Sequence, residues 1–342
     1  MKKILVIFTG GTIGSRIQNS TIDVDDSTGY YLLKLYQEKY NTDVEFDTIQ
    51  PINILSENCT PNHWEKLYKT INQVEMDRYN GIIITHGTDT LPYTSAILSF
   101  LFHHTEIPIV ITGSNHALEI EESNGLDNFN SSVEFITNSG IRGVYTIYQS
   151  NSKKNIVYLS SRIREADSYN DQFYSFGGID LGEIKDGCFK INKNRINPTM
   201  DELVEHRNKL LDCDIDFKNQ VFAIKPYPGL DYNFFNFEHK PKAILHSLYH
   251  SGTGCISDSS SSLPKFVKKC KDEGIDFYLI SFKNIDSDLY VTSREILKYG
   301  AIPLQNISFE AAYAKLNIAY NQKILPPQDY IEKELFFEFL PQ

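Results

Sequence analysis

Cysteines and long apolar runs are both scarce in this sequence. It has only five cysteines, an odd number, and none of them forms a Cys-x-x-Cys pair. This usage excludes a disulfide framework and a cysteine-bound zinc ion as the basis of the fold. No apolar run reaches the ~18 residues of a membrane-spanning helix, and the first one is shorter than the ~7–15 residues of a signal-peptide core. We therefore expect a cytoplasmic protein that does not contact membranes.

Basic residues are also few relative to acidic ones. Lys and Arg total 33 against 44 Asp and Glu, so the formal net charge is −11 and the pI is about 5.3. An acidic chain without a basic tract is repelled by phosphate backbones, and we expect no nucleic-acid partner. The remaining composition, 41% hydrophobic and 23% charged, is typical of a globular protein. A chain of 342 residues has room for roughly two domains of ~150 residues.

One pattern recurs along the chain: a short apolar run followed by a loop rich in Gly, Thr, Ser and Asp. The run Ile4–Phe8 ends in Thr9–Ser15, and the run Gly81–Thr85 ends in His86–Thr90. Such runs predict buried strands, and they alternate with helical patterns. The alternation predicts a parallel sheet covered on both faces, a three-layer α/β architecture like that of flavodoxin and Rossmann folds. The polar loops would then share the edge where such sheets keep their functional groups.

The same patterns divide the chain into two predicted domains. Residues 1–190 are expected to form the larger, N-terminal parallel-sheet domain. Residues 191–219, rich in Asn and Lys, are expected to be a linker with a helix near Asp201–Leu211. A second series of strands and helices begins near Val221, so 220–342 are expected to form a smaller C-terminal α/β domain.

The sequence of the glycine loop after the first strand limits the kinds of functional loop it can be. A phosphate loop would continue into Gly-Lys-Ser/Thr, and a dinucleotide loop would read Gly-x-Gly-x-x-Gly; the segment Gly10–Gly14 fits neither. A threonine nucleophile, Thr12, remains, beside the plain alternative of an ordinary turn. The second loop adds the hydroxyl of Thr88 and the carboxylate of Asp89, which can pair with a substrate ammonium group.

These two loops carry a family resemblance. Thr9–Gly14 and His86–Thr90 are similar to the two signature motifs of the bacterial L-asparaginase family, and the sequence is closest to its cytoplasmic type I branch. The similarity extends over nearly the whole chain, through Ser56–Pro61, Tyr93–Ala96, Leu98–Phe100, Pro108–Ser114, Asn128 and His246–Gly252.

The resemblance implies a homodimer or homotetramer that hydrolyses L-asparagine to L-aspartate and ammonia without a metal or cofactor. The family's nucleophile falls on Thr12. The second motif places Thr88, which helps to activate the nucleophile or a water, and Asp89, which binds the substrate α-ammonium. The carboxylate-binding serine of the family falls on Ser56.

Three further residues complete the expected substrate site. Gly11 and Gly87 lie within the two motifs, and Glu57 stands where the family usually has serine or glutamine. An acid at that position would be a second partner for the substrate ammonium. His86 is expected to be structural and to pack beneath the loop.

Two departures from the family pattern affect catalysis. The family's second triad ends in the lysine of an Arg-x-x-Lys segment, and counting back from Asp171–Phe173 puts that position at Arg164, which keeps the charge but cannot release a proton. The tyrosine of the first triad has no match near Thr21–Ile22, and the nearest tyrosines are Tyr30 and Tyr31.

The departures leave other functions open. One is a degenerate homologue that binds amino acids with little or no turnover. Another is an amidase for glutamine or another side-chain amide. The transfer-RNA amidotransferase member of the same family is expected to fit less well, because the first motif begins at residue 9 and leaves no space for a further N-terminal domain.

Overall fold

The computed structural model describes residues 2–11, 13, 15–18, 21–24, 28–40, 42–282 and 289–341, without the side chains of 15–18, 21–24 and 28–30. The chain divides into two units. The first contains Met1–Asp214 and Leu335–Phe337, and the second contains Ile215–Glu334 and Glu338–Gln342. Each has its own sheet and its own hydrophobic core.

Strands and helices are interspersed along the chain in the first unit. Its strands are β1 (Lys2–Phe8), β2 (Ser15–Gln18), β3 (Thr21–Val24), β4 (Val44–Ile49), β5 (Gly81–Thr85), β6 (Pro108–Thr112), β7 (Gly143–Gln149), β8 (Asn155–Leu159), β9 (Ile163–Arg164), β10 (Tyr174–Ser175), β11 (Gly182–Lys185) and β12 (Cys188–Ile191). Its helices are α1 (Thr28–Tyr40), α2 (Pro61–Asn72), α3 (Leu91–Leu101), α4 (Gly125–Asn138) and α5 (Met200–Val204).

Eight of these strands form one sheet in the order β12-β11-β8-β7-β6-β5-β1-β4. The five strands from β7 to β4 in this order pair in parallel, and β8, β11 and β12 extend the sheet with antiparallel pairing. The central strands β5 and β6 are buried at every position, as their unbroken β-branched runs require. Helix α3 is buried at every residue except Tyr93. The predicted α/β architecture is confirmed.

The chain after α5 differs from the sequence prediction. The helix expected near Asp201–Leu211 ends at Val204, and Glu205 is already extended. The guanidinium of Arg207 lies over the Phe337 ring, 4.7 Å from its centroid. Leu211 is buried although it lies outside the helix. Tertiary contacts of this kind override a modest helical propensity.

The second unit has a four-stranded parallel sheet in the order β13-β14-β15-β16. These strands are β13 (Val221–Ile224), β14 (Ala243–Ser247), β15 (Asp276–Phe282) and β16 (Ile302–Gln305). The helices are α6 (Leu263–Asp272), α7 (Val291–Leu297), α8 (Phe309–Asn321) and α9 (Pro327–Glu332). Within the ranges that the structure describes, we find no helix with the length and apolar character to cross a bilayer.

Candidate active site

Backbone hydrogen bonds tie together the chain segments that follow β1, β4 and β5. Gly11 N donates to Ile54 O at 3.0 Å, and Ile54 N donates to Thr9 O at 3.0 Å. The buried hydroxyl of Thr9 donates to Thr85 O at 2.7 Å. The glycine loop is therefore fixed to the loop after β4 and to the end of β5.

Glycine allows the two motif loops to touch. Gly11 has a φ of +77°, and a Cβ on it would lie 2.4 Å from Gly87 N. A Cβ on Gly87 would lie 2.6 Å from Ser56 Oγ. Both distances are too short for a side chain, so glycine at 11 lets the two backbones meet and glycine at 87 leaves room for Ser56. In sequence, Gly11 and Gly87 directly precede the two motif threonines.

The predicted nucleophile, Thr12, lies outside the residues that the structure describes. Its role therefore stays a prediction. The missing tyrosine of the first triad also stays a prediction, because the side chains of Thr21, Ile22 and Tyr30 lie outside the described part of the chain.

The predicted groups for the substrate carboxylate and ammonium lie side by side. Ser56 is buried on a short 3₁₀ turn, and its hydroxyl donates to Asp89 Oδ2 at 3.1 Å. Thr90 Oγ1 donates to Ser56 O at 2.8 Å and fixes the turn against the second motif. Asp89 is exposed, so its carboxylate is open to a ligand, and the adjacent Glu57 is also exposed.

His86 is placed as a structural residue. Its side chain is buried, and Nδ1 lies 2.8 Å from Gly87 O, a hydrogen bond that requires the proton on Nδ1. Burial lowers the pKa of His86 to about 4, against the opposing effects of the Gly87 carbonyl and the Asp89 charge. The imidazole is therefore neutral at pH 7 and supplies no positive charge to the site.

Thr88 and Asp89 open onto a cleft of about 240 Å³. The rest of its lining comes from three other places in the sequence: Asn115, Tyr148 and the segment 165–168 with Asp171. Four of the nine lining residues are acidic. Among the residues described, no group of His, Cys, Asp and Glu is arranged to hold a metal ion.

Arg164 is exposed and does not line this cleft, so its catalytic role stays a prediction. Side chains alternate between the two faces of a strand. In β9 the side chain of Ile163 is buried and that of Arg164 is exposed, and Arg164 is not among the residues that line the cleft. The next residue, Glu165, does line it.

A count from the buried arginine gives a different position. Arg162 is buried, and its guanidinium donates to Ile196 O at 2.5 Å and to Phe337 O. Counting three residues on from Arg162, as in the family's Arg-x-x-Lys segment, gives Glu165. The count back from Phe173 gives Arg164, so the two counts differ by one residue.

Two tyrosines at the cleft were not predicted from the sequence. Tyr93, in the first turn of α3, donates its hydroxyl to Glu165 Oε1 at 2.5 Å. Tyr148, near the end of β7, is buried and lines the cleft. A tyrosine near the carboxyl end of a parallel strand is a signal that points to this edge of the sheet.

The fold resembles those of solved L-asparaginases. The structure of the thermostable L-asparaginase from Thermococcus kodakarensis matches with a TM-score of 0.82 at 23% identity, covering 99% of this chain and 100% of that one. L-asparaginase I from Vibrio cholerae matches with a TM-score of 0.78 at 20% identity, covering 99% of each chain. At these identities the likeness supports the fold alone.

Curated proteins are similar over most of the sequence. The chain is 28% identical over 321 residues to a glutamyl-tRNA(Gln) amidotransferase subunit from Sulfolobus acidocaldarius, covering 92% of this chain and 70% of that protein. It is 27% identical over 348 residues to the protein of the same name from Saccharolobus solfataricus, covering 99% and 77%. The family model for the N-terminal part of asparaginase matches residues 3–197, more than half of the chain. This chain belongs to the asparaginase family.

Proposed function

We propose that this protein hydrolyses the side-chain amide of L-asparagine to L-aspartate and ammonia, with Thr12 as the nucleophile. One observation carries the proposal: Gly11, Ser56, Gly87 and Asp89 come together from three separate loops. Within a family of amidohydrolases, that arrangement supplies the groups that an amino-acid amide needs beside a hydroxyl nucleophile.

Each residue has a role in the proposal. The Asp89 carboxylate pairs with the α-ammonium, Ser56 binds the α-carboxylate, and Thr88 helps to activate the nucleophile. The Thr12 oxygen attacks the amide carbon, and the amide nitrogen leaves as ammonia after it takes up a proton. A water molecule then hydrolyses the resulting ester, which releases aspartate and restores the threonine.

The remaining parts of the proposal follow from the family resemblance and the composition. We place the enzyme in the cytoplasm as a homodimer or homotetramer, acting without a metal or cofactor. All five cysteines are free, which fits a reducing compartment.

Two observations favour other candidates. Arg164, which the count from Phe173 puts at the family's lysine position, is exposed and does not line the cleft, which favours a homologue that binds amino acids with little or no turnover. The curated relatives are named as parts of an amidotransferase, which favours an amide other than that of asparagine, with L-glutamine the first to test.

The deciding experiment measures ammonia release from L-asparagine and L-glutamine. The unmodified protein is compared with Thr12→Ala and with Thr48→Ala, a matched loss of an exposed threonine on β4. We expect turnover of L-asparagine that Thr12→Ala abolishes and Thr48→Ala preserves. Equal rates for the protein and Thr12→Ala would end the assignment of the nucleophile. A rise in melting temperature with L-asparagine and no ammonia would favour the binding homologue, and faster turnover of L-glutamine would favour the second amidase.

A further inference from the structure

The cleft beside Thr88 carries more negative charge than an amino-acid zwitterion requires. It is lined by the carboxylates of Asp89, Glu165, Asp167 and Asp171. None of the nine described residues that line it is Lys, Arg or His. Asp89 alone is enough to pair with one ammonium group. The other three carboxylates repel any ligand carboxylate that enters with it.

The Glu165 side chain lines the cleft and is held there by a hydrogen bond. The Tyr93 hydroxyl donates to Glu165 Oε1 at 2.5 Å, and Tyr93 is anchored in α3. Glu165 follows the buried Arg162 by three positions and lines the cleft.

The cleft also contains a buried hydroxyl without a hydrogen-bond partner among the described residues. Tyr148 is 2% exposed, and its oxygen has no described partner at hydrogen-bonding geometry, although the Asn124 side chain lies close enough to affect its pKa. Burial raises the pKa of Tyr148 to about 12; the charge of Asp171 acts in the same direction, and the Asn124 side chain opposes it only in part. A buried hydroxyl without a partner is costly, so a ligand that supplies one is favoured here.

The chemistry of the cleft favours an organic cation over a metal ion. Its acidic residues are not arranged as a metal site among the described groups. Its volume of about 240 Å³ accommodates a small organic molecule. An ammonium group and an amide together match the four carboxylates and the Tyr148 hydroxyl.

We propose that this cleft selects side-chain amides with a net positive charge, in which the α-carboxylate is masked or absent, over free L-asparagine. The inference rests on the proposed amidohydrolase function and names its substrate class. Glu165 is the specificity-determining residue, and Tyr93 is a positioning residue that holds it.

The test compares two substrates with the same reacting amide. One is L-asparagine, with net charge zero. The other is its α-N-methylamide, with net charge +1 at pH 6, where the α-amine (ordinary pKa about 7.7–8.0) is protonated. Ammonia reports hydrolysis of the side-chain amide, and methylamine would report attack on the α-amide. We expect kcat/KM to be about tenfold higher for the methylamide.

Four variants distinguish an effect of the cleft charge on substrate preference from an effect on folding. Glu165→Lys is expected to shift the ratio of the two kcat/KM values by on the order of a hundredfold toward L-asparagine, and Glu165→Gln by a smaller amount in the same direction. Glu45→Lys, the same charge change at an exposed residue of β4, is the matched control and leaves the ratio unchanged. Tyr148→Phe weakens binding of the methylamide without lowering the melting temperature of the free protein.

The outcomes distinguish this inference from the proposed function. Faster hydrolysis of L-asparagine, or a ratio that Glu165→Lys leaves unchanged, overturns the inference while the amidase function stands. If neither compound releases ammonia, but the methylamide raises the melting temperature more than L-asparagine does, the inference about the cleft holds and the proposed function fails. If neither compound binds or reacts, both are overturned.

Discussion

Gly11 and Gly87 pack backbone against backbone, so closely that a Cβ on Gly11 would lie 2.5 Å from Gly87 Cα. They lie 76 positions apart in sequence, on the loops after β1 and β5, two neighbouring parallel strands. Each directly precedes a motif threonine in the sequence. The spacing of the two motif loops is therefore set by the absence of two side chains.

Substituting Gly11 is expected to disrupt the site. Gly11→Ala places a methyl group against Gly87 and strains a backbone with φ of +77°. The matched control is Gly178→Ala, where φ is +76° and nothing lies within 4 Å of the added Cβ. The control should lose about 1–2 kcal/mol of unfolding free energy from strain alone. Gly11→Ala should lose about 1–3 kcal/mol more from overlap. Equal losses, with ammonia release intact, would contradict the close contact.

The hydrogen bond between Ser56 and Asp89 predicts that substitutions at these residues change KM more than kcat. Ser56→Ala removes a donor to the carboxylate and a ligand for the substrate, so KM for the amide should rise about tenfold with little change in kcat. Asp89→Asn removes the partner of the α-ammonium and should raise KM by on the order of a hundredfold. Glu57→Gln, at the exposed neighbour, should change KM by at most about threefold. The three variants are compared by steady-state ammonia release, and a fall in kcat alone would contradict a binding role.

Arg162 and Arg164 should behave in opposite ways. Arg162→Met leaves the Ile196 and Phe337 carbonyls without their buried donor and should cost about 3 kcal/mol of unfolding free energy. Arg164→Met, at an exposed residue, should change it by less than about 0.5 kcal/mol. It should also keep most of the ammonia release. Urea unfolding and activity of both variants test this. Loss of activity in a stable Arg164→Met would restore the catalytic role predicted from the sequence.

Stability should fall as the pH drops from about 6.5 toward 4. Burial lowers the pKa of both His86 and His246 to about 4, below the ordinary value of 6.5. In this range the unfolded chain binds protons that the folded chain excludes, which costs about 2 kcal/mol per histidine at pH 5. The urea midpoint of unfolding should fall less between pH 7 and pH 5 for His246→Gln than for the unmodified protein. His239→Gln, at an exposed histidine, is the control. A midpoint that falls as much in His246→Gln as in the unmodified protein would contradict the prediction.

The sequence predicted the strands of the first sheet well. Unbroken apolar runs such as Gly81–Thr85 are buried on both faces, so their pattern is local and strong. The antiparallel edge strands β11 and β12 were not predicted. β11 pairs with β8, some 25 residues earlier, and β12 pairs with β11 and is not buried at any position. The helix near Asp201–Leu211 failed for the same reason, because distant aromatic contacts decide the conformation of that segment.

The sequence by itself determined the glycine motifs, the buried strands, the family and the adjacency of the two motif loops. All of these follow from residue identity and local periodicity. Only the tertiary structure decided that Glu165 and not Arg164 lines the cleft, and that Ser56 reaches Asp89. Arg164 ends the two-residue strand β9 and Glu165 follows it, and both side chains are exposed. Which of the two lines the cleft is decided by packing against the rest of the unit, and a shift of one residue exchanges a carboxylate for a guanidinium.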